Sequence, residues 1–226
     1  MYKSSFYCNS SYQRIIVLFN YIQYMMKIVA YYVFAKNEKD IEEIDTDIII
    51  DTYDKNFQFI LDNVRKNDYL YDIIKSKLLI PDFFKEYLLE NIVPIIGVQI
   101  EISDEDNEEY MSFAGLGDLL TLLRNKVQSH GNISQSNIEY IEKTLETLVV
   151  YFNEFIALDE IELKNVDGIV NMRYGKEKFV SLNKYAIYRE NNILLLQGAS
   201  KKQGKYRYIN YFNGKHNKPS EVEIDL

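Results

Sequence analysis

Arg124, Asn125 and His130 lie close together in the segment Arg-Asn-Lys-Val-Gln-Ser-His, with five residues between the arginine and the histidine. Histidine exchanges protons near neutral pH, which makes His130 a candidate general acid or base. A guanidinium binds phosphate oxygens through paired hydrogen bonds, and Arg124 is the candidate for that role. The amide of Asn125 can orient either group. The segment therefore carries the side chains that chemistry at a phosphate needs.

RNA cleavage fits these three side chains without a metal ion or another cofactor. RNA carries its own nucleophile, the 2′-hydroxyl, beside each phosphate. Cleavage needs a base to take the hydroxyl proton, an acid to protonate the leaving oxygen, and positive charge at the phosphate in the transition state. Imidazole provides the first two functions and guanidinium the third. Such a reaction would require no metal ion.

The segment resembles the motif of the HEPN family, in which an arginine, usually followed by a polar residue, precedes a histidine by four to six intervening positions. The resemblance implies a helical bundle and the ribonuclease activity of toxins and antiviral defence proteins, regulated by an antitoxin or another protein. It also implies that Arg124, Asn125 and His130 are catalytic. Lys126, four residues before His130, and Ser129 are the expected substrate-binding residues.

The spacing of Arg124 and His130 raises a geometric requirement. Residues six apart on an ideal helix point about 120° away from each other, so they do not share a face. The two side chains converge only if the helix ends or distorts near Gly131, or if two chains each contribute part of one cleft. HEPN proteins commonly dimerise with their motifs facing each other. We therefore expect a homodimer with a composite site.

Other roles for these residues remain open. Arg124 can pair with Asp118 or Glu139, and His130 can interact with the dipole at the end of its helix. Some proteins of such families have lost activity and serve as scaffolds. The alternatives are a catalytically inactive dimerisation module that binds a protein or nucleotide partner, and a regulatory domain that holds a small ligand between its helices.

The elements that must position the motif follow from hydrophobic spacing. Apolar residues recur at helical intervals through most of the first 155 residues, and shorter alternating segments follow after about Asp167. The predicted helices cover 12–35, 48–64, 69–79, 82–91, 116–130 and 138–155. The predicted strands cover 179–182, 184–188, 193–197 and 205–212. The fold class is therefore α+β, with an up-and-down helical bundle over 1–165 and a small antiparallel sheet over 166–226 packed on it.

Charge divides the chain in a similar way. The net charge is −8, but residues 171–226 hold 11 basic and 5 acidic residues. Six cations of this C-terminal part are interleaved with Tyr206, Tyr208, Tyr211 and Phe212, and they are Lys201, Lys202, Lys205, Arg207, Lys215 and Lys218. Cations and rings together can bind RNA. The alternation also fits a strand with one face packed inward, and this second interpretation is favoured.

Composition bounds the remaining possibilities. Ile15–Ala35 is long enough to cross a membrane, but Asn20, Lys27 and four tyrosines favour a core helix instead. Cys8 is the only cysteine, which fits the reducing cytoplasm. Two histidines and one cysteine far apart in sequence make a zinc site improbable. We therefore expect a cytoplasmic protein with no membrane segment and no metal.

Overall fold

The computed structural model describes residues 10–36, 82–97, 119–120, 122–127, 135–200, 205–211 and 220–225. The chain divides into two compact units, one formed by Met1–Asp51 with Ala157–Leu226 and the other by Thr52–Ile156. Helices and an antiparallel sheet are both present, so the α+β class is confirmed. The predicted helices at 48–64 and 69–79 lie outside the described residues.

Helix α1 (Ser11–Lys36) opens the first unit, as predicted. The Ser10 hydroxyl accepts a hydrogen bond from the Gln13 backbone N–H at 3.3 Å, which satisfies one of the free donors of the first turn. Apolar residues occur nearly all round this helix, and Ile15, Ile22 and Ile28 are completely buried. None of the helices in the described part of the chain has the length and hydropathy required to span a membrane.

A seven-stranded antiparallel sheet forms the rest of this unit. Its strands are β1 (Ile161–Val166), β2 (Ile169–Tyr174), β3 (Val180–Ser181), β4 (Ala186–Arg189), β5 (Asn192–Ser200), β6 (Lys205–Asn210) and β7 (Ser220–Asp225). The order is β1-β2-β4-β5-β6-β7, with β3 paired to β2. Strands β3 to β6 correspond to the four predicted strands. Strand β1 lies where the sequence was assigned to the helical region, although Ile161 and Leu163 alternate with charged residues there.

Helix α1 packs against this sheet through its tyrosines. Tyr31 stacks on Tyr185 with ring centroids 5.4 Å apart. Tyr32 meets the ring of Tyr174 edge-on at 5.1 Å. The sequence grouped this helix with the other helices, whereas the structure places it in one unit with the strands. The physical reason is that a helix with apolar residues on every side can bury itself under a sheet as well as inside a bundle.

Strand β6 shows which role the C-terminal aromatic residues have. Tyr208 is buried, and its ring lies 6.3 Å from that of Tyr206 on the same face. Burial raises the pKa of Tyr208 to about 12. This ring therefore belongs to the interior, in agreement with the inward-packing interpretation. Lys201, Lys202, Lys215 and Lys218 lie outside the described residues.

Glu190 and Asn191 form the two-residue turn between β4 and β5, with φ angles of 50° and 61°. Asparagine tolerates this left-handed backbone, but a residue such as glutamate is disfavoured there by about 1–2 kcal/mol. We expect Glu190→Asn to raise the free energy of unfolding by about 0.5–1 kcal/mol, as measured by urea denaturation. The control is Arg189→Ala, which removes the exposed Arg189–Glu190 ion pair and should change little. An unchanged or lower stability of Glu190→Asn would contradict the strain at this turn.

The second unit contains an irregular helical run and two further helices. Helix α2 (Asp82–Tyr87) continues into a π-helical turn (Leu88–Ile92) and then α3 (Val93–Ile96), which ends at Gly97 with φ 71°. Residues 119–120 and 122–127 are helical, and the latter are called α4 here. Helix α5 (Gln135–Phe155) follows.

The π-helical turn explains how the run continues through Pro94, where the sequence predicted an interruption. Proline donates no N–H, and its ring collides with the carbonyl four residues earlier in a regular helix. In the structure the Val93 N–H donates to the Leu88 carbonyl, five residues back. The wider turn thus accommodates the proline one residue later, and the last turn ends at Gly97.

The core of the second unit is formed by apolar residues that recur at helical spacing in the sequence. The Tyr87 hydroxyl also ties the irregular run to α5 by donating to the Thr144 carbonyl at 2.8 Å. The fully or nearly buried side chains are Phe84, Leu88, Ile92, Leu119, Leu120, Leu123, Val127, Ile141, Leu145, Leu148 and Phe152. Helix α4 and helix α5 are thereby fixed within the same unit. The finer assignment to a HEPN-like bundle remains a proposal.

Candidate functional site

Helix α4 presents the first part of the motif on the surface of the second unit. Leu123 and Val127 bury the opposite side of the helix, with 0% and 3% of their surface exposed. Asn125 and Lys126 are exposed, and Arg124 is partly exposed. The helix is therefore anchored by its apolar side while its polar residues are accessible to a ligand. This arrangement follows from the spacing of the apolar residues.

The side chains of Arg124 and Asn125 contact each other. Nη2 of Arg124 donates to Oδ1 of Asn125 at 3.4 Å, in an exposed position. A guanidinium next to an amide offers several N–H donors to an anion in one place. The orienting role that the sequence assigned to Asn125 stays a prediction. It brings two of the three expected catalytic residues together.

Lys126 lies on the other flank of the same helix. Two residues along an α-helix correspond to a rotation of about 200°, so Arg124 and Lys126 project on nearly opposite sides of the buried stripe. Lys126 lines a surface cleft that does not include Arg124 among its lining residues. Within one chain, Arg124 and Lys126 therefore lie on different parts of the surface.

The cleft beside Lys126 has a volume of about 290 Å³. The described residues that line it belong to α3, α4 and the start of α5, namely Pro94, Ile95, Lys126, Asn137, Tyr140 and Ile141. Tyr140 is 48% exposed, and its hydroxyl donates to Oδ1 of Asn91 at 3.5 Å. The described part of the lining thus combines an apolar floor with a cation, an amide and a phenol ring.

Of the described residues that line this cleft, the sequence analysis predicted Lys126 alone as a substrate-binding residue. The positions of Asn137, Tyr140 and Ile141 follow the i, i+3, i+4 rule, so their common face on α5 could have been read from the sequence. Their approach to Pro94 and Lys126 could not, because it depends on how three helices pack.

His130 and Ser129 lie outside the described residues, as does Asp118, one alternative partner of Arg124. The convergence of the imidazole with the guanidinium therefore stays a prediction. Among the side chains that the structure describes, no three of His, Cys, Asp or Glu are grouped so that they could hold a metal ion. That finding does not test the expectation of metal-independent chemistry.

Comparisons with protein-family models, with curated proteins and with solved structures found no match to this chain. The resemblance to the HEPN family therefore rests on the motif from Arg124 to His130 and on the helices around it.

Proposed function

We propose that this protein is a metal-independent endoribonuclease of HEPN type that acts as a toxin or antiviral defence effector. The observation that carries the proposal is the contact between Arg124 and Asn125 on an anchored helix, with His130 six residues further along the chain. Arg124 binds the phosphate, Asn125 orients it, and His130 exchanges protons. Lys126 and Ser129 provide further contacts to the RNA substrate.

The reaction transfers the phosphate within the RNA chain. The 2′-oxygen attacks phosphorus while the bond to the 5′-oxygen breaks, which gives a 2′,3′-cyclic phosphate and a 5′-hydroxyl. One imidazole takes the 2′-hydroxyl proton, and another acid protonates the leaving oxygen. A homodimer provides two copies of His130 for these two transfers. The Arg124 guanidinium offsets the negative charge that accumulates on the phosphate.

A non-catalytic interaction module is the second candidate. An observation that favours it is the exposure of the apolar side chain of Leu122 (40%) on helix α4. Exposed apolar residues occur at protein interfaces, and Leu122 lies two residues before Arg124. A dimer that buries Leu122 but cleaves no RNA would have the properties of this module.

The proposed function is tested with a mixed pool of RNA in the presence of a metal chelator. The wild-type protein should shorten the RNA, and His130→Ala should lower the rate by about 10²–10⁴-fold because proton transfer is lost. Thermal melting and sedimentation confirm that the variant folds and assembles like the wild type. A folded wild-type protein that leaves every RNA intact would favour the interaction module.

A further inference from the structure

The cleft between α3, α4 and α5 has the lining of a site for a flat ring that bears an anionic group. Pro94, Ile95 and Ile141 provide apolar contact, and the exposed ring of Tyr140 provides a stacking face. Lys126 provides the positive charge. An aromatic ring and a cation at one site are the elements that bind single-stranded nucleic acid.

The electrostatic surroundings of Lys126 leave its charge available. No ion pair of Lys126 occurs with the residues that the structure describes. Asn137 and Tyr140 belong to the first two turns of α5, a helix of 21 residues. The start of a helix carries a partial positive charge, which adds to that of the ammonium group. An anionic group is therefore favoured at this end of the cleft.

The size of the cleft limits its ligand. A volume of about 290 Å³ accommodates one ring system with one phosphate. The exposed side chain of Asn137 also lines the cleft, and its amide carries both a donor and an acceptor group.

We propose that this cleft binds one unpaired nucleotide, with the base stacked on Tyr140 and the phosphate at Lys126. As a subsite for the RNA strand, it rests on the proposed ribonuclease function. The strand then crosses α4, because Lys126 and Arg124 lie on opposite flanks of that helix and contact different phosphates. Tyr140 and Asn137 select the nucleotide that flanks the cleaved bond.

Fluorescence anisotropy with a labelled 2′-O-methyl oligonucleotide tests the subsite, because this probe lacks the nucleophile and separates binding from cleavage. Tyr140→Ala should weaken binding about tenfold or more through loss of stacking, whereas Tyr140→Phe should stay within about twofold of the wild type. Lys126→Ala should weaken binding and reduce the slope of log K against log salt by about 0.7. The control is Lys143→Ala, an exposed lysine of α5 outside the cleft, which should change neither quantity.

Free mononucleotides form the second arm of the experiment. If adenosine or uridine monophosphate displaces the labelled oligonucleotide from the wild type but not from Tyr140→Ala, the ligand of the cleft is a free nucleotide. If neither displaces it at millimolar concentration, the ligand is the RNA strand. Equal binding by wild type, Tyr140→Ala and Lys126→Ala would overturn the subsite even if RNA is cleaved. Binding that depends on both residues without any cleavage would support the subsite and refute the proposed function. Absence of oligonucleotide and mononucleotide binding would refute the subsite.

Discussion

Arg124→Ala should lower the rate of RNA cleavage by about 10²–10³-fold, the usual consequence of removing one donor that stabilises charge in a transition state. The residue is partly exposed on the anchored helix α4, so its removal leaves the buried contacts of Leu123 and Val127 in place. We therefore expect a loss of rate with little loss of stability. Single-turnover cleavage of a labelled RNA measures the rate, and thermal melting measures the stability.

Arg124→Lys separates geometry from charge. Lysine keeps the positive charge but lacks the planar fork that binds two phosphate oxygens, so it should recover only part of the lost rate. Lys143→Ala removes an exposed cation of the same unit and should cleave RNA at the wild-type rate. If Arg124→Ala cleaves RNA at the wild-type rate but melts at a lower temperature, Arg124 is a structural residue.

Tyr31→Ala should lower the free energy of unfolding by about 3–5 kcal/mol, the cost of deleting a buried aromatic side chain. Tyr31 is fully buried beneath the sheet, and its hydroxyl donates to the Leu196 carbonyl. That carbonyl lies at a bulge, where the register of β5 against β6 shifts between Leu196 and Gly198. Burial raises the pKa of Tyr31 well above its usual value, so the hydroxyl remains a donor at neutral pH.

Tyr31→Phe isolates the hydroxyl from the ring. It keeps the stacking on Tyr185 and removes only the donor to Leu196, which should cost about 1–2 kcal/mol in urea denaturation. Tyr12→Phe is the matched control, because Tyr12 lies on the same helix but is 45% exposed, and it should have no effect. Wild-type stability of Tyr31→Phe would show that the bond at the bulge contributes nothing.

The sequence predicted the elements in which a regular apolar spacing continues over many consecutive residues. Helices α1 and α5 span 26 and 21 residues, and their apolar spacing predicts both. Strand β7 was missed because its alternating segment, Glu-Val-Glu-Ile, is only four residues long. In the sheet its register places Glu223 opposite Arg207 and Asp225 opposite Lys205. Opposite charges across a pair of strands favour pairing, and only the partner strand supplies that information.

Only the part of the candidate site that lies within one helix could be predicted from the sequence. The adjacent positions of Arg124 and Asn125 on an exposed helix face follow from apolar periodicity, and the structure places their side chains in contact. The cleft was not predictable, because it requires the π-helical turn before Pro94 and the packing of α3 against α4 and α5. The separation of Arg124 and Lys126 on opposite flanks could have been derived from helix geometry alone.

The most direct test of the central claim is the chemical identification of RNA ends produced by the wild-type protein in a metal chelator. Attack by the 2′-hydroxyl predicts a 2′,3′-cyclic phosphate on one fragment and a 5′-hydroxyl on the other. The yield of both should fall at least about 100-fold with Arg124→Ala and with His130→Ala, and both should be absent with 2′-O-methyl RNA. Fragments with a 5′-phosphate, or an undiminished yield of fragments from the two variants, would contradict cleavage at the Arg124–His130 motif.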